Sequence, residues 1–176
     1  MIISYLIFYL IQAVFLTALV LLRTWQALGI KSTVSNALTT SVQALPKLFI
    51  LYIIFVVPWI FFHLLSDTDL VRESILVQIL FYLVAWAGGA LTTWACFAFA
   101  VPLMLIKGYS VIMAAIEGIT AAVSYWWQLL ILTFAMVLIM SLSLLTLGIL
   151  SLWTIPMSFN IYGILFREVF MPKATE

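Results

Sequence analysis

The feature that most constrains this chain is a series of apolar runs, each at least about as long as a bilayer is thick. Residues 2–22 contain no charged side chain, and about 20 residues of α-helix rise about 30 Å, the thickness of one hydrocarbon core. Further uncharged runs cover residues 48–65, 74–106 and 128–166. Because lipid offers the backbone no hydrogen-bonding partner, such runs are stable there only as helices or closed barrels. The sequence therefore predicts an all-α integral membrane protein.

The composition is consistent with a chain that is surrounded by lipid, and it limits the kinds of partner. The chain is 67% hydrophobic and 7% charged, whereas a soluble domain has about 25% charged residues. A length of 176 residues predicts one domain, residues 1–176. The net charge of +1 argues against a nucleic-acid partner. A single cysteine, Cys96, excludes an internal disulfide and any cysteine-rich metal site.

The basic residues are distributed unevenly between the two ends of the expected helices. Of the seven, only Arg72 falls in the acidic loop that joins the second and third apolar runs. Cytoplasmic loops retain Lys and Arg. The remaining basic residues therefore predict an external N-terminus and an internal C-terminus. These residues are Arg23, Lys31, Lys47, Lys107, Arg167 and Lys173.

Together, run lengths and charges predict about five transmembrane helices and two interfacial amphipathic helices. Residues 74–106 are interpreted as one tilted or broken helix that ends near Pro102, because splitting them in two would move Lys107 outside. Residues 128–166 hold about two spans, with a turn at residues 146–148. The first interfacial helix lies within residues 23–47, where Val34, Leu38, Val42 and Leu45 form an apolar stripe. The second lies within residues 107–124.

An internal repeat is also expected. A shift of 78 residues, from Ser32 to Ser110, also aligns Ala37 with Ala115 and Ala44 with Ala122. Both halves then have the order span, interfacial helix, span. Two such units in the same orientation form a parallel repeat.

Two stretches carry a resemblance to a known group. AVPLMLIKGYSVIMAAIEGITAAVSYWWQLLI and SLLTLGILSLWTIPMSFNIYGILFREVF together cover about the C-terminal third. They resemble bacterial multi-pass inner-membrane proteins related to the membrane domain fused to some glycerophosphodiester phosphodiesterases. The resemblance implies a multi-pass helical fold in the bacterial inner membrane. It implies no activity, because the phosphodiesterase chemistry belongs to a soluble domain. The group usually has more basic residues on the second amphipathic helix, where this chain has only Glu117.

Small and amphipathic residues provide the candidate contact sites. Small side chains at helical spacing let helices approach closely in lipid. They are interpreted either as packing within the chain or as an interface with a partner: Ala85, Gly88, Gly89, Ala114, Gly118 and Ala122. Aromatic and basic residues near span ends predict membrane-interface anchors: Trp25, Lys47, Lys107, Trp126, Trp127 and Arg167.

Polar residues give little indication of chemistry. His63 is the only histidine and is expected to hydrogen-bond near the headgroups, since a metal or haem site needs further ligands. The acidic loop with Asp67, Asp69 and Glu73 offers oxygen atoms, but too few for a convincing Ca²⁺ site. Asn160 and the glutamines near the spans favour hydrogen bonds between helices, because an ion path needs ionisable groups at depth.

The expected function is therefore non-catalytic, with no cofactor and no metal. The first hypothesis is an accessory or assembly subunit of an inner-membrane complex, whose partners are membrane lipids and other integral membrane proteins. The alternative is a passive conduit or binder for lipid or a small apolar molecule. In that case bends near Gly88, Gly89, Pro102 and Pro156 would leave a groove between helices.

Overall fold

The structure is a computed structural model. It describes the backbone of residues 2–66, 68, 74–145 and 151–171, and the side chains of these residues except 2–10, 143–145 and 151–154. Within these ranges every regular element is a helix, and there are seven if Ile75–Ile106 counts as one. The turn expected at residues 146–148 and the acidic residues Asp67, Asp69 and Glu73 lie outside the described residues.

The first two helices are α1, Ile2–Ala27, and α2, Val34–Gln43. The Thr33 hydroxyl caps α2 by accepting a hydrogen bond from a first-turn N–H group. α2 is amphipathic as expected, but it buries Ala37 and Ser41 against α1 and leaves Val34 exposed. Small side chains make this contact because they permit the closest helix approach.

The third and fourth helices form an apolar hairpin. α3 spans Leu45–Ser66 and continues through Pro58. α4 runs without interruption over Ile75–Ile106, with a π-helical segment at Ala95–Ala100. The helix was expected to end near Pro102, but it continues for four more residues. The wider π-helical turns end two residues before Pro102, which lacks a backbone N–H group and crowds the preceding carbonyls in a regular α-helix.

The last three helices are α5, Val111–Ser124, α6, Trp126–Leu145, and α7, Ser151–Phe170. The axes of α5 and α6 differ by 82° across the single residue Tyr125. α7 contains Pro156 in its first half. A helix therefore exists where the second amphipathic helix was expected, but its exposed side chains are mostly apolar, for example Ile112 and Ile116. It is sharply bent away from the apolar helix that follows it.

The core is built around the π-helical segment of α4. Phe99 is fully buried there, and α5, α7, α3 and α1 all contact this segment. α1 and α7 pack in parallel, because Gly163 lies on the Arg23 carbonyl and Arg167 reaches the Ala27 carbonyl four residues further along each helix. This arrangement brings the C-terminal ends of α1 and α7 to the same end of the bundle.

Two basic residues connect helix ends at this end of the bundle. The Lys107 ammonium, directly after α4, donates to the Phe170 carbonyl at 2.9 Å. The Arg167 guanidinium donates to the Ala27 carbonyl at 3.3 Å. A cation near a helix C-terminus interacts favourably with the helix dipole. Basic residues identified from charge distribution therefore also join the ends of α1, α4 and α7.

Two stretches share an order of local features. α1 and α4 each end shortly before a glycine with positive φ, Gly29 at 74° and Gly108 at 72°. A hydroxyl group then caps the next helix, from Thr33 before α2 and from Ser110 before α5. After one intervening residue, a long apolar helix follows in each case. These features do not share one register, since the glycines are 79 positions apart (108 − 29) and the capping residues 77 (110 − 33). The internal repeat expected from a shift of 78 residues therefore stays a prediction.

The helices are those of a membrane protein. α3 and α4 are long and apolar enough to cross a bilayer, and α5 with α6 forms a third crossing if the bent pair counts as one span. The described apolar part of α1, Ile11–Ala27, is shorter than such a span. Large apolar side chains on the C-terminal half of α3 and the N-terminal half of α4 are exposed, for example Leu64 at 66% and Ile75 at 77%. Exposed apolar surface on this scale is stable in lipid.

Candidate functional site

α4 has an open apolar groove on each flank. The larger one, the α4–α6–α7 groove, has a volume of about 490 Å³. Its walls include Thr93 and Trp94 of α4, Thr133 and Met140 of α6, and Tyr162 of α7. Volumes of about 300–1,000 Å³ are typical of small-molecule sites. This groove is therefore the main candidate site within the described part of the chain.

Most polar groups in the walls of this groove are already hydrogen-bonded. The Trp94 indole N–H donates to Thr133 Oγ1 at 2.7 Å, and that hydroxyl donates to the Leu129 carbonyl at 2.7 Å. The Thr93 hydroxyl donates to the Gly89 carbonyl at 2.9 Å. Hydroxyls bonded to their own helix in this way keep their hydrogen atoms out of the groove. The lining therefore presents mostly apolar surface.

Tyr162 is the exception. Its ring packs edge-on against Trp94 at 4.8 Å between centroids and against Phe159 at 5.9 Å. Within the described residues its hydroxyl makes no hydrogen bond, although the side chain is partly buried in the groove wall. A partly buried tyrosine hydroxyl normally finds a partner. Tyr162 thus offers a free donor at a fixed position.

The second groove, the α1–α3–α4 groove, has a volume of about 340 Å³. Gln12, Phe55, Trp59 and Cys96 lie in its walls. The hydroxyl of Tyr52, which also lines it, is hydrogen-bonded to the Thr17 hydroxyl. Except for the Gln12 amide, this groove presents few free polar groups.

The small residues noted in the sequence lie at helix contacts inside the molecule. Ala114, Gly118 and Ala122 form the buried face of α5, which packs on the π-helical segment of α4. A Cβ atom at Gly118 would lie 2.7 Å from the Ala95 carbonyl oxygen.

Gly88 and Gly89 lie on the α3–α4 contact. A Cβ atom at Gly89 would overlap the Trp59 indole of α3. At Gly88 the nearest atom, on the Phe62 ring, would be 3.8 Å away. Ala85, one turn before Gly89, is half-buried. These contacts account for the small residues through packing within the chain, and they leave the alternative of a partner interface untested.

The expected interface anchors have different surroundings. Trp126 and Trp127 are exposed beside the bend between α5 and α6, and Lys47 is exposed near the start of α3. Trp25 is half-buried and packs against the contact between α1 and α2. Lys107 and Arg167 hold the carbonyl groups at the ends of α7 and α1, as described above.

Among the described residues, no three His, Cys, Asp or Glu side chains are close enough together to hold a metal ion. His63 is exposed near the end of α3. Cys96 is buried in the π-helical segment, in the wall of the second groove.

The sequence gives no direct signal for the Trp94, Thr133 and Tyr162 cluster, because these residues lie far apart in the sequence and on three different helices. No protein-family model, curated protein or solved structure matches this chain. The resemblance of the C-terminal third to the phosphodiesterase-associated membrane domains therefore stays a prediction.

Proposed function

We propose that the protein binds a lipid chain or a small apolar molecule within the membrane, in the α4–α6–α7 groove. The observation that carries the proposal is the groove itself, an open space of about 490 Å³ with mostly apolar walls. In a bilayer such a space is filled by apolar material, because water there would lack hydrogen-bonding partners. Met140 and Val137 on its rim are half exposed, so the groove is accessible from the side.

A matched pair of substitutions tests this proposal. Val137 lines the groove, whereas the next residue, Leu138, does not, and the two are 45% and 49% exposed. Val137→Phe should fill part of the groove and weaken binding of a long-chain alkane, measured by native mass spectrometry of the detergent-solubilised protein. Leu138→Phe should leave alkane binding unchanged. Equal binding by both variants and the unsubstituted protein would contradict the proposal.

We further propose the five-span arrangement, with the N-terminus outside and the C-terminus inside the bacterial inner membrane. Its support is the common position of Arg23, Lys107 and Arg167 at one end of the bundle. The 82° bend at Tyr125 supports an interfacial α5, since α5 lies nearly parallel to the membrane surface if α6 crosses upright.

Cysteine labelling tests this orientation. In a Cys96→Ala background, a membrane-impermeant maleimide added to whole cells should label Thr68→Cys. Lys31→Cys should be labelled only after the cells are opened. The reverse pattern would refute the orientation.

A second candidate function is an accessory or assembly subunit of an inner-membrane complex, with other integral membrane proteins as partners. It is supported by the end of the α3–α4 hairpin that is formed by the C-terminal half of α3 and the N-terminal half of α4. There Phe61, Leu64, Ile75 and Tyr82 are all more than half exposed. A photo-crosslinking residue at Tyr82 should yield a defined adduct with another membrane protein, whereas one at Ile131 of α6 should not. A monomer with no co-purifying protein after mild extraction would contradict this function.

A further inference from the structure

The α4–α6–α7 groove has a chemical preference that follows from its polar groups. The indole of Trp94 and the hydroxyls of Thr93 and Thr133 use their hydrogen atoms in bonds within the protein. Tyr162 alone among these groups has a hydroxyl without a hydrogen bond in the described part of the chain. A ligand whose acceptor atom hydrogen-bonds to this hydroxyl removes the free-energy cost of leaving a donor unpaired in an apolar site.

The position of Tyr162 along α7 limits where the acceptor lies. Tyr162 comes eight residues before Phe170 (170 − 162), and Phe170 accepts the hydrogen bond from Lys107 at the basic end of the bundle. Eight residues of α-helix rise about 12 Å. If the basic end marks the membrane interface, Tyr162 lies within the hydrocarbon core, whose half-thickness is about 15 Å. The acceptor oxygen then belongs to a molecule that lies within the hydrocarbon core. It is not the glycerol ester oxygen of an upright phospholipid.

The charge of the ligand follows from the lining. No Lys, Arg or His side chain lines the described walls of this groove. An ionised carboxylate or phosphate would therefore lose its hydration without gaining a counter-charge. The rings of Trp94 and Phe159 hold the Tyr162 ring in place, so the position of its hydroxyl oxygen is set before a ligand arrives.

We infer that the α4–α6–α7 groove binds an uncharged apolar molecule with a carbonyl oxygen, which accepts a hydrogen bond from the Tyr162 hydroxyl. This inference rests on the proposed function, since it assumes that the groove is a binding site. It adds the chemical class of the ligand and the residue that recognises it.

The test compares a long-chain methyl ketone with the alkane of equal length, by native mass spectrometry of the full chain in detergent. One neutral hydrogen bond should make the ketone bind about threefold to tenfold more tightly than the alkane. Tyr162→Phe removes only the hydroxyl and should abolish this preference while alkane binding persists. Tyr82→Phe, at an exposed position on α4 outside the groove, should keep the full preference.

The outcomes separate this inference from the proposed function. If Tyr162→Phe keeps the ketone preference, the inference is wrong even though the groove binds apolar molecules. If Val137→Phe binds both compounds as the unsubstituted protein does, the groove is not the binding site and both proposals fail. Two further compounds distinguish a ring carbonyl from a chain carbonyl. They are a benzoquinone that carries a decyl chain, and methyl palmitate. Dependence on Tyr162 for either compound supports the inference, and its absence for both overturns it.

Discussion

Replacement of Gly118 by alanine tests whether the contact between α5 and α4 is as close as the backbone positions indicate. An added Cβ atom would lie 2.7 Å from the Ala95 carbonyl oxygen, 3.0 Å from the Ala100 Cβ atom and 3.1 Å from the Ala100 nitrogen. Two of these three are backbone atoms inside the buried π-helical segment, so they cannot move aside by a rotamer change. The helices must separate, and overpacking of this kind costs about 1–3 kcal/mol.

Gly88→Ala is the matched control, because it makes the same chemical change within a helix without the clash. Its Cβ atom would lie 3.8 Å from the Phe62 ring, an ordinary van der Waals distance. Both substitutions gain up to about 1 kcal/mol from the higher helix propensity of alanine. This gain cancels when the two variants are compared. Gly118→Ala should therefore be less stable than Gly88→Ala by about 1–3 kcal/mol.

The assay is equilibrium unfolding of the purified protein in mixed micelles, followed by circular dichroism and tryptophan fluorescence. The free energy of unfolding of Gly88→Ala should equal or slightly exceed that of the unsubstituted protein. If Gly118→Ala is as stable as Gly88→Ala, the close approach of α5 to the π-helical segment is not a property of the folded protein. The account of the core around α4 would then be wrong.

Three further predictions concern other contacts. Gly163→Ala should destabilise the pairing of α1 with α7 by about 1–3 kcal/mol, because its Cβ atom would lie 2.6 Å from the Arg23 carbonyl oxygen; an unchanged unfolding midpoint would refute this. Thr133→Val leaves the Trp94 indole N–H without its acceptor and should cost about 1–3 kcal/mol, whereas Thr133→Ser keeps the hydroxyl and should cost less in the same unfolding assay. Lys107→Gln removes the cation at the end of α7 and should cost about 0.3–1 kcal/mol at low salt. That cost should shrink as salt is added, and a salt-independent loss would argue against an electrostatic role.

Helix formation and the approximate bounds of the long helices were predictable from the sequence, since apolar run length is a local property. The expected second span at residues 48–65 corresponds to α3 at Leu45–Ser66, and the undivided run at residues 74–106 corresponds to α4 at Ile75–Ile106. The expected site residue Gly118 is buried at a helix contact. The sequence could not distinguish its contact with α4 from a contact with another protein, because both require the same small side chain.

The candidate groove could not be predicted, because its residues are far apart in the sequence. Trp94 and Thr133 are separated by 39 positions and meet through one hydrogen bond, and Tyr162 joins them only because α7 packs beside α4 and α6. The π-helical segment was also missed. Pro102 indicated a bend, but whether a helix kinks or widens before a proline depends on the helices that pack around it.

By itself the sequence determined that the chain is helical and apolar enough for a membrane, because the lack of backbone partners in lipid makes the length of an apolar run decisive. Its basic residues also predicted which helix ends lie on the same side of the membrane. Only the tertiary structure decided which helix faces meet. In a chain that is apolar on nearly every face, hydrophobicity does not distinguish core from lipid surface, and steric fit at residues such as Gly118 and Gly163 makes that choice.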